Sequence, residues 1–161
     1  MATYSAEQIA TYLLTLPSAE DNDVSNLKLQ KLCYYAQGLM TAMRGEPLFR
    51  EDIAAWDHGP VVPSLYRKYK GHGSQPIPIV VDFDASQIAE ADRKVLDDIY
   101  EYYGQFSPWR LRNMTHEEKP WIDGYKSDKR ISIDALIDFF KPQIDEEYVR
   151  AIYAALCSCH T

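Results

Sequence analysis

Asp57-His58 is the pair of residues in this chain best suited to acid–base chemistry, because a carboxylate can orient an imidazole and tune it toward neutrality. Cys33 would be the nucleophile to go with it. Yet Cys33 falls on an apolar helical stripe, where burial keeps a thiol protonated, so it reads as core filling. His116-Glu117-Glu118 sets a base beside two acids, but neighbours in sequence rarely face one site. Cys157-Ser158-Cys159-His160 has the look of half a metal clip. Structural zinc takes four ligands, commonly from two separated pairs, and no second pair is present. The chain carries no GxxxxGK[ST], GxGxxG, GxSxG or HExxH pattern. The expectation is no catalytic residue, no metal and no cofactor.

Aromatic residues offer a different chemistry. The chain has 12 tyrosines and 3 tryptophans, and such side chains dominate protein interfaces because they bring large, stiff contact area. Tyr34, Tyr35, Tyr66 and Tyr69 lie beside basic or polar positions. From Pro60 to Gly73 the charges are Arg67, Lys68 and Lys70 with no acid, whereas Asp82 to Glu101 holds seven acids against Arg93 and Lys94. The formal net charge of −7 opposes broad attraction to nucleic acid or anionic lipid. There is no leader-like N-terminus and no apolar run of membrane-spanning length. With three cysteines, an odd number, these features lead to the expectation of a cytoplasmic protein with reduced thiols.

The elements that must position these residues are mostly helical. The 161 residues suit a single domain, 1–161. Ser5 and Gln8 form a capping box ahead of Ile9, Leu13 and Leu16, and Pro17 closes that helix. Leu29, Leu32, Cys33, Ala36, Leu39, Met40 and Met43 make the longest apolar stripe, capped by Ser25 or Asp23 and ended by Gly45. This is the expected central helix, with Gly38 marking close approach of another backbone. Its polar face would present Lys28, Gln30, Lys31 and Tyr34. Ile53 to Trp56 reads as a strand or hairpin, and Ile77 to Asp82 as a second short strand. Pro63 opens a short helix through Leu65, Tyr66 and Tyr69, on which Tyr66 and Tyr69, three apart, would share a face. Asp84, Ser107, Ser132 and Asp145 each suggest a further helix start. The fold class is therefore mainly α: a compact helical bundle with at most a small β hairpin.

Two stretches carry a family likeness: Val24-Ser-Asn-Leu-Lys-Leu-Gln-Lys-Leu-Cys-Tyr-Tyr-Ala-Gln-Gly38, and Gly45-Glu-Pro-Leu-Phe49 followed by Ala55-Trp-Asp-His-Gly-Pro-Val-Val62 and Tyr66-Arg-Lys-Tyr-Lys-Gly71. In order, spacing and residue type they resemble the Panacea domain, the SocA-like or GepA-like antitoxin family, over about residues 5 to 120. The resemblance implies a helical antitoxin of a bacterial or phage toxin–antitoxin pair, which neutralises a cognate protein toxin by direct binding. It also implies, for some members, an adaptor role that hands the toxin to a cellular protease. The partner-binding surface expected here comprises Trp56, Asp57, His58, Pro60, Tyr66, Arg67 and Tyr69, with Lys28, Gln30, Lys31 and Tyr34 of the central helix. Two other readings are an enzyme built on Asp57 and His58, and a DNA-binding autoregulator contacting phosphates through Arg67, Lys68 and Lys70.

Overall fold

The computed structural model describes residues 4–154. At its centre runs α2 (Asn26–Arg44), packed against α4 (Glu90–Tyr103), α5 (Pro108–His116) and α7 (Ile133–Phe140). Ser25 caps α2 by accepting the Lys28 amide at 3.3 Å, and Gly45 ends it in the left-handed region at φ 77°. Leu29, Leu32, Cys33, Ala36 and Met40 are all fully buried, as the stripe predicts. The capping box holds in both directions at the start of α1 (Ala6–Leu13).

A three-stranded antiparallel sheet lies beside the helices in the order β2-β1-β3. The expected hairpin is β1 (Ile53–Trp56) with β2 (Gly59–Val61), in the register Ala54 to Val61 and Trp56 to Gly59. β3 (Arg130–Ile131) adds to the other edge of β1. Pro63 opens α3 (Pro63–Tyr69), Ser107 caps α5 and Ser132 caps α7. α6 (Lys119–Lys126) follows α5 directly, and α8 (Glu146–Val149), capped by Asp145, is the last α-helix described.

Three expectations are corrected. Ile77 to Asp82 forms no strand: Pro76 and Pro78 strip amide donors from one edge, and the bonds that remain run to two different segments rather than to one neighbouring strand. The segment is instead a strap, with the Ile77 amide donating to Val24 O at 2.8 Å and the Val80 amide to Leu14 O at 3.0 Å. Asp84 caps only a 3-10 turn, Ala85–Gln87, while α4 begins at Glu90 without a side-chain cap. Gly38 does admit a close neighbour, but that neighbour is the Phe140 ring, which would stand 2.2 Å from a Cβ at this position.

Candidate functional site

The β1–β2 turn, α3 and α5 stand around an open groove of about 710 Å3, whose floor includes Gln30 and Lys31 of α2. The turn is tight because Gly59 adopts φ 107° and has no room for a side chain: a Cβ there would lie 2.7 Å from Lys31 Cε and 2.8 Å from Thr115 Oγ1. Gln30 fixes the next corner by accepting the Val62 amide at 2.9 Å, while its own amide donates to Asn26 Oδ1 at 2.9 Å. Asn26 in turn donates to the Tyr66 carbonyl at 3.1 Å. From the far side, the Trp121 indole donates to the Trp56 carbonyl at 2.8 Å, and His116 Nε2 lies 2.7 Å from the Asp57 carbonyl.

Exposed aromatic rings form the walls. Trp56 and Tyr66 meet edge to face at 5.2 Å and are each 38% exposed. Trp109 is 54% exposed; it stands 5.9 Å from the His58 ring, with the Arg112 guanidinium 4.5 Å above its own ring. Exposed aromatics gathered on one apolar concavity are the pattern of a binding surface, since water gains little from them and a partner gains much.

The structure thus brings together Trp56, Asp57, His58 and Tyr66 of the expected surface. Arg67 is exposed but lies outside the groove lining. Tyr69 turns away from Tyr66 and is only 8% exposed, because α3 rests that face on the core. Pro60 is buried in β2 and offers only its carbonyl, to Lys31 Nζ at 3.2 Å. The central helix has no solvated polar face at this level: Lys28 is buried under the α4–α5 turn, Tyr34 under Phe140 of α7 and Glu118, and Gln30 and Lys31 reach the groove only as its nearly unexposed floor.

Each buried polar group has its own account. Lys28 Nζ uses all three donors, to Asp23 Oδ1 at 2.6 Å and to the Gly104 and Phe106 carbonyls at 2.7 Å. Among the described residues Lys31 has only the Pro60 carbonyl as acceptor, and desolvation, with help from the charge on Arg112, lowers its pKa to about 7. Tyr34 and Tyr35 each donate to one oxygen of Glu118 at 3.0 Å. Burial lifts the Glu118 carboxyl to about 7 against the opposing pull of those two bonds.

Asp57, His58 and Cys33 do not come together as a nucleophile–base set. Asp57 accepts from the Tyr125 hydroxyl at 2.5 Å, while His58 Nδ1 accepts from Arg112 Nε at 3.4 Å, so the two side chains serve different partners. Cys33 is fully buried and pushed up to about 12 by desolvation. In the basic stretch offered for DNA, Lys68 is paired with Glu7. Cys157, Cys159 and His160 lie outside the described residues.

Sequence reasoning passed over α6 and β3, and with them Trp121, Tyr125 and Lys129. Pro120 near a helix start and the four-residue spacing of Trp121 and Tyr125 were the available signals. Those two rings stack at 4.8 Å beside the turn, and Lys129 Nζ lies 3.4 Å from the Tyr125 ring centroid.

Residues 29–122 match the model of the SocA-like antitoxin family, Panacea domain, and the chain belongs to that family. It is 40% identical over 72 residues to a protein called Antitoxin SocA from Caulobacter vibrioides (strain NA1000 / CB15N). That alignment covers 45% of this chain and 38% of the relative's length. No solved structure matches the chain. Among the described residues, no helix is long and apolar enough to cross a membrane.

Proposed function

We propose that this chain is an antitoxin that neutralises a cognate protein toxin by direct binding, and that the toxin seats on the groove walled by Trp56, Tyr66 and Trp109. The observation that carries the reading is the gathering of these exposed rings on one apolar concavity, within the stretch that matches the family. Binding of this kind needs no proton transfer, which fits the separate partners of Asp57 and His58.

The test is co-expression with the cognate toxin, with a pull-down and a melting curve for every variant. Trp56→Ala and Tyr66→Ala are expected to abolish both growth rescue and toxin capture while leaving the melt close to that of the parent. Loss of rescue only in step with loss of folding would reduce these rings to scaffold. Loss of rescue in Asp57→Asn or His58→Ala, with toxin capture intact, would favour an enzyme instead. Measuring toxin half-life in the same cells tests the adaptor reading: delivery to a protease shortens it when the antitoxin is present, and simple sequestration does not.

A further inference from the structure

The chain is acidic as a whole, yet its groove is not. Among the described residues, Lys28, Lys68, Lys94, Lys119 and Arg130 each pair with a carboxylate. The exposed cations of the groove do not. Lys70 and Lys129 line it with no carboxylate within 4.0 Å among the described residues, while half-buried Arg112, beside Trp109 and outside the lining, reaches His58 Nδ1 and the Asn113 side chain. The acid on the lining, Asp57, is occupied by the Tyr125 hydroxyl. Unmatched cations occur elsewhere among the described residues, Arg67, Arg110 and Lys126 included, so it is the place of Lys70 and Lys129 that matters. Two exposed lysines against one already occupied carboxylate make this trough of exposed rings locally positive in a chain of net charge −7, a surface complementary to acidic groups.

The trough itself limits the form of the partner. A volume of about 710 Å3 falls in the range of concavities that enclose a ligand. That volume has room for side chains of a chain segment laid along it. Lys70, the C-cap residue of α3, lies four residues after Tyr66, and Lys129 lies over Tyr125 on the facing side. An occupant between the Trp56 and Trp109 walls therefore meets positive charge on both flanks.

We infer that the groove captures an extended segment of the partner protein in which an aromatic or large apolar side chain is flanked by carboxylates. The inference rests on the toxin-binding reading of the groove and names the chemistry of what enters it. Complementary charge of this sort sets specificity and the rate of encounter, while the buried ring supplies the hold.

Three peptides serve as probes against the full chain by calorimetry: acetyl-Glu-Glu-Trp-Glu-Glu-amide, its lysine counterpart and its serine counterpart. The glutamate peptide is expected to bind about tenfold or more tighter than the lysine peptide, with the advantage shrinking as salt rises. Lys70→Glu with Lys129→Glu should erase that preference, whereas Lys126→Glu, an equal charge change outside the groove, should leave most of it. Equal binding of all three peptides, tighter binding of the lysine peptide, or binding of none would overturn the inference. The toxin-binding reading is judged separately, by Trp56→Ala and Tyr66→Ala in the rescue assay. If those variants fail to rescue but the doubly charge-reversed variant still rescues, the groove holds the toxin by apolar contact alone; the reading survives and the acidic segment does not.

Discussion

Lys28 and Lys31 stand three residues apart on one helix, both with no exposure, and their energetic roles are opposite. Lys28 satisfies three acceptors and ties the start of α2 to the α4–α5 turn. Lys28→Met removes the donor and orphans two carbonyls, and should cost about 2–3 kcal/mol in a denaturant titration. Lys31 has a single long hydrogen bond and no carboxylate among the described residues. Lys31→Met fills the same volume without a charge to desolvate, so its melting temperature at pH 6 should equal or exceed that of the parent. A parallel contrast holds on α3. Tyr69→Ala opens a cavity in the core and should cost about 3–5 kcal/mol, whereas Tyr66→Ala, on the groove wall, should leave stability nearly unchanged.

At the scale of elements, α2 organises the fold through contacts along nearly its whole circumference, which is why 14 of its 19 residues are buried. Leu32→Ala should cost about 2–5 kcal/mol, checked by the shift in melting midpoint. Gly38 gives a sharper test. On an exposed helix, Gly→Ala gains about 1 kcal/mol from backbone entropy. Here the new methyl would meet the Phe140 ring, so Gly38→Ala should destabilise. Adding Phe140→Leu should recover part of that loss, a positive coupling measured by a double-mutant cycle. The helices were legible from the sequence because caps and apolar spacing are local. The strap at 77–82 was misread because its β-branched residues suit a strand, while no partner strand comes to lie beside it among the described residues. α6 and β3 were passed over because each is short and gains its meaning from docking on β1 and its turn.

Across the whole molecule, two buried groups give stability an unusual pH profile. Glu118 has its folded pKa raised from 4.5 to about 7. Between these values the folded state holds a proton that the unfolded state has lost, so this group's contribution falls as pH rises and is gone above about 7. Lys31 has its folded pKa lowered from 10.5 to about 7. Above about 7 the unfolded state binds the extra proton, so its contribution grows with pH up to about 10.5. Melting curves across pH should therefore show Glu118→Gln removing a downward slope between about 4.5 and 7, and Lys31→Met removing an upward slope between about 7 and 10.5. A Glu118→Gln profile parallel to the parent's would show that the Tyr34 and Tyr35 bonds offset burial at this carboxyl.

By itself, the sequence determined the helical class, the central helix with its caps, the β1–β2 hairpin and the family. These are properties of local spacing and of motifs that survive without coordinates. It also marked Trp56, Asp57, His58 and Tyr66, because they crowd into one short motif. Only the tertiary structure decided which side of each element faces water. Periodicity tells that Lys28, Gln30, Lys31 and Tyr34 share a polar stripe, but whether that stripe meets solvent depends on β2, the α4–α5 turn and Glu118 arriving from 32 to 84 residues away in the chain. The same long-range packing buried Tyr69, exposed Trp109 and set Tyr125 and Lys129 beside the turn. Burial is a property of what else comes to lie on a surface, and a single element's sequence records only its own half of that contact.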